Sequence, residues 1–360
     1  SDLAALNAFL GREFHLPPLT PGRCCGLLRA VLGQAHRNGI CTLDSFFASV
    51  VRAFPLELGI APDFTILDEH VRARERERIL RGLLAGGGAT VAPFIEAFRQ
   101  STFGREQVSV HRLLSGFVET YRKHFLRVPD GERWGNGAAV WGARPPALQP
   151  ETVRGRAAAD CLKALDAIRM TENQQANLRL LVTGVRDMTP ETQAAPAFRK
   201  TLEAFLEERP QLRTPEPRIT GFLRVQLPPA FCARLDELLD HAVACLAEAR
   251  LRNTRGLHAI LEHYEREYHR RVRSSGRLTF EDLTWVLTRE DSPRLASTAD
   301  SEADRLYVNY RLDGTFDHWA VDEFQDTSRR QWQAVAGLID EIMQDDSGRR
   351  SFFMVGDVKQ

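Results

Sequence analysis

Two short apolar runs near the end of the chain flank a segment with helical periodicity. The first run, Trp-Ala-Val, stops at the paired acids Asp322 and Glu323, and the second covers residues 351–355. Between them, apolar side chains recur every three or four positions over residues 328–345. This pattern predicts a strand, a helix and a second strand within residues 316–360, the crossover unit of α/β proteins. We expect both strands to be buried, with their acidic ends facing one crevice.

Most of the remaining chain has helical periodicity. Residues 40–43 are predicted as a short strand, and Asp44 as the N-cap of the helix that follows it. A stretch rich in glycine and proline, residues 128–150, is predicted as a long loop. Four aliphatic residues of the second helix are expected to face inward: Leu27, Leu28, Val31 and Leu32. Helices are expected at residues 1–14, 23–37, 45–54, 69–84, 108–125, 151–181, 197–208 and 231–274.

Composition restricts the class of protein without identifying it. The 360 residues are long enough for two domains, and 43% of them are hydrophobic. No apolar run approaches the roughly 20 residues of a membrane helix, and the chain starts without an export signal. Six cysteines lack metal-ligand spacing, which predicts free thiols and no metal cluster. We therefore expect a cytoplasmic protein that does not enter a membrane.

The acidic strand ends have the residue types that ATP chemistry requires. Magnesium on a nucleoside triphosphate takes one or two carboxylates and keeps several waters, which suits Asp322 as its ligand. Glu323 can then orient or deprotonate the attacking water. Gln360, after the second strand, is a neutral donor that can contact the terminal phosphate. The alternative interpretation is a solvated acidic loop.

Four segments resemble motifs of one family. Residues 321–327 (Val-Asp-Glu-Phe-Gln-Asp-Thr) resemble motif II of the UvrD/Rep-like superfamily 1 DNA helicases, and residues 355–360 (Val-Gly-Asp-Val-Lys-Gln) the start of motif III. Residues 41–47 resemble the Thr-x-His-Ser-Phe element that touches single-stranded DNA, although Asp44 replaces its histidine. Residues 277–283 resemble the segment that leads back to motif II. The four segments occur in the same order as the motifs of the family. The sequence most resembles the helicase subunits of the RecB and AddA type.

This resemblance implies an α/β fold, an incomplete RecA-like P-loop NTPase core with a large, mostly α-helical insertion domain. The core would comprise residues 1–67 and 276–360, and the insertion residues 68–275. ATP and Mg²⁺ are the implied cofactors, and single-stranded or tailed double-stranded DNA is the implied partner, with nuclease or helicase subunits as further partners. The implied nucleotide-site residues are Asp322 (magnesium), Glu323 (water activation), Gln360 (terminal phosphate), Gln325 and Asp326 (coupling to movement) and Asp357. The implied DNA contacts are Thr42, Ser45 and Phe46.

One motif of this family is missing from the chain, the phosphate-binding loop. In the family this loop ends in Gly-Lys-Thr or Gly-Lys-Ser, yet no lysine of this chain follows a glycine. We therefore expect a fragment of a longer helicase, inactive as an ATPase by itself. The resemblance implies that this helicase moves 3′ to 5′ and acts in repair or recombination. The alternatives are a helicase-nuclease subunit of the exonuclease V type and a non-catalytic DNA-binding or scaffold subunit.

Three sets of side chains leave a DNA role open. Trp134 and Trp141 are interpreted as residues that pin their own loop, with stacking on bases as the alternative. The Arg and Glu residues of segment 69–84 alternate in a way that is typical of a solvated helix face. The alternative is DNA contact by Arg72, Arg74, Arg76 or Arg78. Phe46 is likewise more typical of a core residue than of a base platform.

Overall fold

The computed structural model describes residues 2–15, 17–33, 39–85, 95–99, 110–191, 195–219, 225–289 and 316–357. Within them the chain is mostly helical, and the strands form two-stranded sheets. This strand content is lower than the predicted α/β class implies. The chain divides into two compact units, which are Ser1–Asp68 with Val272–Gln360, and Glu69–Arg271.

The elements are named here in chain order. The helices are α1 (Asp2–Phe14), α2 (Pro21–Gly33), α3 (Leu43–Ala53), α4 (Glu69–Ala85), α5 (Val110–Arg127), α6 (Gly137–Trp141), α7 (Glu151–Leu165), α8 (Glu172–Arg186), α9 (Pro196–Glu207), α10 (Arg209–Leu212), α11 (Pro229–Arg271), α12 (Phe280–Thr288) and α13 (Arg329–Met343). The strands are β1 (Thr65–Ile66), β2 (Arg218–Ile219), β3 (Val225–Gln226), β4 (Arg277–Leu278), β5 (His318–Val321) and β6 (Ser351–Met354). Short 3₁₀ turns lie at Gly131–Arg133, Arg273–Ser275 and Phe324–Asp326.

The core of the first unit lies between α3, α12 and α13. Phe47 and Val51 of α3, Leu283 and Val286 of α12, and Ile339 of α13 are buried together. Burying one such side chain contributes about 1.5–3 kcal/mol. The strands β1 and β4 pair in parallel and lead into this core. The same core therefore supports both the start of α3 and the helix that precedes β6.

The start of α3 differs from the sequence prediction. The strand predicted at residues 40–43 is wrong, because Leu43 already belongs to the helix and Ile40 is 93% exposed. Asp44 is not the N-cap either. Thr42 takes that position, since its side-chain oxygen accepts a hydrogen bond from the Ser45 N–H at 3.2 Å. The helix therefore begins at Leu43, two residues earlier than predicted. Threonine is nearly as good an N-cap residue as aspartate.

The first two helices carry apolar side chains that their own unit does not cover. The predicted helices are found as α1 and α2, although residues 34–37 of the second prediction lie outside the described residues. The expected inward face is wrong. The four aliphatic side chains of α2 are all more than half exposed: Leu27, Leu28, Val31 and Leu32.

The second parallel pair confirms the predicted strand, helix and strand. β5 and β6 are in register from His318 opposite Ser351 to Val321 opposite Met354. The prediction that both strands are buried is wrong, because Phe353 is 61% exposed. Among the described residues, α13 packs against β6, and a parallel pair needs cover on both faces to be buried throughout.

Beneath the start of α12 lies a buried ion pair. The Arg273 guanidinium donates to Asp282 Oδ1 at 3.0 Å, and the two side chains are 3% and 0% exposed. The other oxygen, Asp282 Oδ2, accepts hydrogen bonds from the Thr279 N–H and hydroxyl, each at 2.9 Å. The guanidinium also lies 4.2 Å from the centre of the Trp285 ring. The capping box of α12 thus depends on an arginine outside the helix.

The second unit is organised around α11, a single helix of 43 residues. It packs against α7, α8, α5 and α4, and the prediction of one or two helices at residues 231–274 is met by one. The long loop predicted at residues 128–150 contains a 3₁₀ turn and the short helix α6, which Asn136 caps at the Ala139 N–H. Trp134 pins this segment, since its indole N–H donates to Val128 O at 2.7 Å.

All six cysteines are free thiols, as predicted. Three of them, Cys161, Cys232 and Cys245, are buried in the core of the second unit. Burial raises the pKa of Cys161 to about 12 and of Cys232 and Cys245 to about 11. They therefore remain neutral thiols at physiological pH.

None of the helices in the described ranges combines the length and apolarity that a bilayer crossing requires.

Two helical glycines of the second unit give a matched test of its packing. A methyl group added at Gly184 would lie 2.3 Å from the Phe198 ring, whereas the space around Gly155 is open. Alanine raises helix propensity at both sites by about 1 kcal/mol. We expect Gly155→Ala to raise the urea unfolding midpoint. Gly184→Ala should lower it, because overpacking costs about 1–3 kcal/mol. Equal shifts for the two variants would contradict the packing described.

Candidate active site

The strands β5 and β6 end at the same edge of their sheet. Asp322 and Glu323 follow β5 directly. Beyond the ladder, the Val355 N–H donates to Val321 O at 2.9 Å, and the Phe324 N–H donates to Val355 O at 2.8 Å. Backbone hydrogen bonds therefore hold the loop after β5 against the loop after β6.

A sharp turn presents the two acids. Glu323 has φ 51° and ψ 44°, the left-handed region, which costs a residue with a side chain roughly 1–2 kcal/mol. Asp322 stabilises the turn, since its Oδ1 accepts a hydrogen bond from the Glu323 N–H at 2.9 Å. Both acidic side chains are exposed. Strained backbone of this kind is concentrated at functional sites, where the surrounding structure maintains it.

Gln325 joins the acidic loop to the loop after β6. Its amide Nε2 donates to Glu323 Oε2. Its Oε1 accepts a hydrogen bond from the Asp357 N–H at 2.9 Å. One side chain thus orients the Glu323 carboxylate and fixes the backbone that continues toward residue 360.

Gly356 makes room for this bridge. A methyl group added there would lie 2.9 Å from Gln325 Oε1, 3.2 Å from Gln325 N and 3.3 Å from the Phe324 side chain. Contacts this short force a neighbour to move. The glycine is needed for close approach, which explains the residue type at this position.

Helix α13 supports the acidic loop from behind. Ser328 and Gln331 form a capping box at its start. The Phe324 ring lies edge-on to Trp332, with 5.4 Å between the centroids, and Trp332 contacts Phe352 of β6 at 6.1 Å. This aromatic packing limits the freedom of the loop that holds the acids.

The predicted DNA-contact residues lie at the start of α3. The Thr42 hydroxyl donates to Ser45 Oγ at 2.9 Å, and both side chains are exposed. Phe46 differs from them. Its half-buried ring lies edge-on to Phe316 at 5.6 Å and to Trp319 at 5.2 Å. The packing of Phe46 is that of a core residue, whereas Thr42 and Ser45 face solvent.

The start of α3 is connected to the acidic strand within the first unit. Phe46 of α3 contacts Trp319 of β5, and Trp319 lies three residues before Asp322. The Gln331 amide of α13 also donates to Asp44 Oδ1 at 3.4 Å. Asp44, which replaces the histidine of the family element, therefore has a contact with the helix that follows the acidic loop.

Of the remaining predicted site residues, the structure describes Asp326 and Asp357 but not Gln360. Asp326 is exposed at the end of the 3₁₀ turn, and its N–H donates to Glu323 O at 2.9 Å. Asp357 is exposed, and its backbone N–H donates to Gln325 Oε1. Gln360 lies outside the described residues.

Two residues with structural contacts in the first unit were not predicted from the sequence: Gln331 and Arg273. The Ser-x-x-Gln spacing of residues 328–331 is a signal for the capping box of Gln331, but its contact with Asp44 joins residues 287 positions apart. Arg273 carried no signal at all, because its partner Asp282 was interpreted only as part of a motif. The Thr-x-x-Asp spacing of residues 279–282 was the signal that could have indicated a capped, buried acid.

The first unit thus combines an acidic loop at the end of a parallel strand pair with an exposed, capped helix start, the two features that the helicase resemblance predicts. A helicase family, described as UvrD/REP helicase N-terminal domain, matches residues 22–360. The chain belongs to this family. Membership indicates a DNA helicase domain that binds ATP and DNA. A comparison with curated proteins gives no match.

Proposed function

We propose that Asp322 and Glu323 form one half of the ATP-hydrolysis site of an ATP-dependent DNA helicase. The observation that carries this proposal is the bridge from Glu323 through Gln325 to the Asp357 backbone. A solvated acidic loop would not need a strained turn and an amide that holds its carboxylate. The same features favour turnover over a purely scaffolding role.

The residues fit a magnesium ion. Family members use ATP with Mg²⁺, and this cation is usually held by one or two carboxylates together with substrate phosphates and water. Asp322 is an exposed carboxylate at a strand end, fixed by the Glu323 N–H at one oxygen. We assign it as the magnesium ligand. The ion would neutralise charge on the phosphates.

Glu323 orients and deprotonates the attacking water in this proposal. A general base must be held in place and within hydrogen-bond reach of the proton it accepts. The Gln325 amide engages Oε2 and so fixes the orientation of the carboxylate. The exposed position of Glu323 leaves the group accessible to water and nucleotide.

Gln325 also supplies a route for coupling. Movement of the loop after β6 changes the position of the Asp357 N–H, and hence of the Gln325 amide that holds Glu323. We propose that Gln360 contacts the terminal phosphate and moves this loop on hydrolysis, and that Asp326 belongs to the same unit. Such coupling requires differential contacts in two states.

Thr42 and Ser45 are the proposed DNA contacts. Their exposed hydroxyls lie at the first turn of α3, where the helix dipole favours a phosphate. We extend the proposal, on the resemblance alone, to 3′ to 5′ movement in repair or recombination and to an incomplete RecA-like core with a helical insertion.

Gly356→Ala tests the bridge. The added methyl displaces Gln325 and with it the Glu323 carboxylate, so we expect turnover to fall by about tenfold to a hundredfold while ATP still binds. Steady-state ATPase and nucleotide binding on the full-length protein measure the two quantities. Gly155→Ala, in open space on α7, serves as the control and should leave turnover unchanged. Full activity in Gly356→Ala would show that Gln325 does not position Glu323.

A further inference from the structure

The second unit contains a small groove that the proposed function does not use. It has a volume of about 280 Å³. It lies where the end of α5 meets the 3₁₀ turn and the middle of α11. Its lining residues are His124, Arg127, Val128, Arg133, Trp134 and Thr254.

The charge of the groove is positive. Of its lining residues none is acidic, and the described residues contain no ion pair for Arg127 or Arg133. The neighbouring carboxylate of Asp130 is used elsewhere, since it accepts the Glu132 N–H at 3.0 Å. A helix C-terminus favours cations such as Arg127. That effect does not account for Arg133, which belongs to the following turn.

One wall of the groove is an aromatic ring in a fixed orientation. The Trp134 indole N–H donates to Val128 O at 2.7 Å. The ring also contacts Phe125 at 6.5 Å and His258 at 5.6 Å between centroids. His258 is itself held by Pro129 O at 2.8 Å. A ring held in this way loses little freedom on binding a flat group.

We propose that this groove binds one nucleotide of single-stranded DNA. The guanidiniums of Arg127 and Arg133 would hold its phosphate, and its base would pack against Trp134. The groove's size suits one nucleotide unit better than a duplex, whose bases are stacked and cannot enter. The inference deepens the proposed function, on which it rests for the identity of the nucleic acid.

The test is binding of a labelled oligothymidylate, followed by fluorescence anisotropy without ATP over a range of salt concentrations. The double variant Arg127→Gln/Arg133→Gln should bind about tenfold more weakly at low salt. Its log–log salt slope should fall by about 0.7, the contribution of one neutralised phosphate on a single strand. Arg112→Gln is the matched control. It removes one exposed arginine at the other end of α5, and it should leave the slope unchanged. Circular dichroism verifies that each variant is folded.

Tryptophan emission gives a second measurement. Stacking of a base on Trp134 should quench emission in the unsubstituted protein, and Trp134→Phe should reduce that quench while it keeps an aromatic wall. The groove is ruled out if the double arginine variant behaves like Arg112→Gln. A loss confined to duplex DNA would overturn the single-strand assignment. Because no ATP is added, these outcomes are independent of whether Glu323 supports turnover.

Discussion

Glu323→Gln should reduce DNA-stimulated ATP hydrolysis by about a hundredfold to ten-thousandfold, the contribution typical of a general base. The amide has the shape of the carboxylate but cannot accept the proton of the attacking water. ATP binding should be retained, because in this account Asp322 rather than Glu323 holds the magnesium ion. Phosphate release and nucleotide binding on the full-length protein measure the two effects separately.

The control for this experiment is Asp340→Asn, which removes one exposed negative charge from α13 in the same unit. It should leave both turnover and ATP binding unchanged. Undiminished hydrolysis in Glu323→Gln would refute the assignment of Glu323 and would favour the non-catalytic alternative. Loss of ATP binding together with turnover would instead place Glu323 in nucleotide binding.

Asp282→Ala should destabilise the first unit by about 3–5 kcal/mol, because it leaves the buried Arg273 charge without its carboxylate. The variant also removes the acceptor of the Thr279 N–H and hydroxyl. Urea unfolding followed by tryptophan emission measures the change, with the two units treated as separate transitions.

Two further variants distinguish a buried pair from a general charge effect. Asp317→Asn removes a carboxylate from the exposed pair with Arg350 at 3.2 Å, and it should cost at most about 1 kcal/mol. Replacing both buried partners, as in Arg273→Met/Asp282→Ala, should recover part of the lost stability, since no unpaired buried charge remains. A double variant as unstable as Asp282→Ala alone would indicate that Arg273 contributes through packing.

The sequence predicted the elements whose signal is local and periodic. The helix behind the acidic loop, the parallel strands on either side and the long helix α11 follow from apolar spacing alone. The start of α3 was less predictable. Thr42 and Asp44 are both good caps, and only the backbone geometry shows that the Thr42 oxygen receives the Ser45 N–H.

Burial was the least predictable property. Apolar runs at residues 319–321 and 351–355 are typical of strands covered on both faces, yet Phe353 and Met354 are more than half exposed. The aliphatic residues of α2 were also predicted to face inward, and they are likewise more than half exposed. An apolar residue type shows that burial would be favourable, but it does not show which helix or strand packs over the side chain.

The acidic site was predictable in its residue types and unpredictable in its geometry. Asp322 and Glu323 were visible because an apolar run stops at them. The left-handed backbone of Glu323 and the bridge through Gln325 to the Asp357 N–H depend on two loops meeting in space. The roles assigned to these residues, and to Gln360, remain predictions for experiment.

The most direct measurement is ATP binding by the full-length protein with magnesium and with the ion removed by EDTA, compared between the unsubstituted protein and Asp322→Asn. If the Asp322 carboxylate holds the magnesium of ATP, the unsubstituted protein binds ATP more tightly when the ion is present. Asp322→Asn should then bind ATP with little difference between the two conditions. A variant that retains the full magnesium dependence would contradict the account.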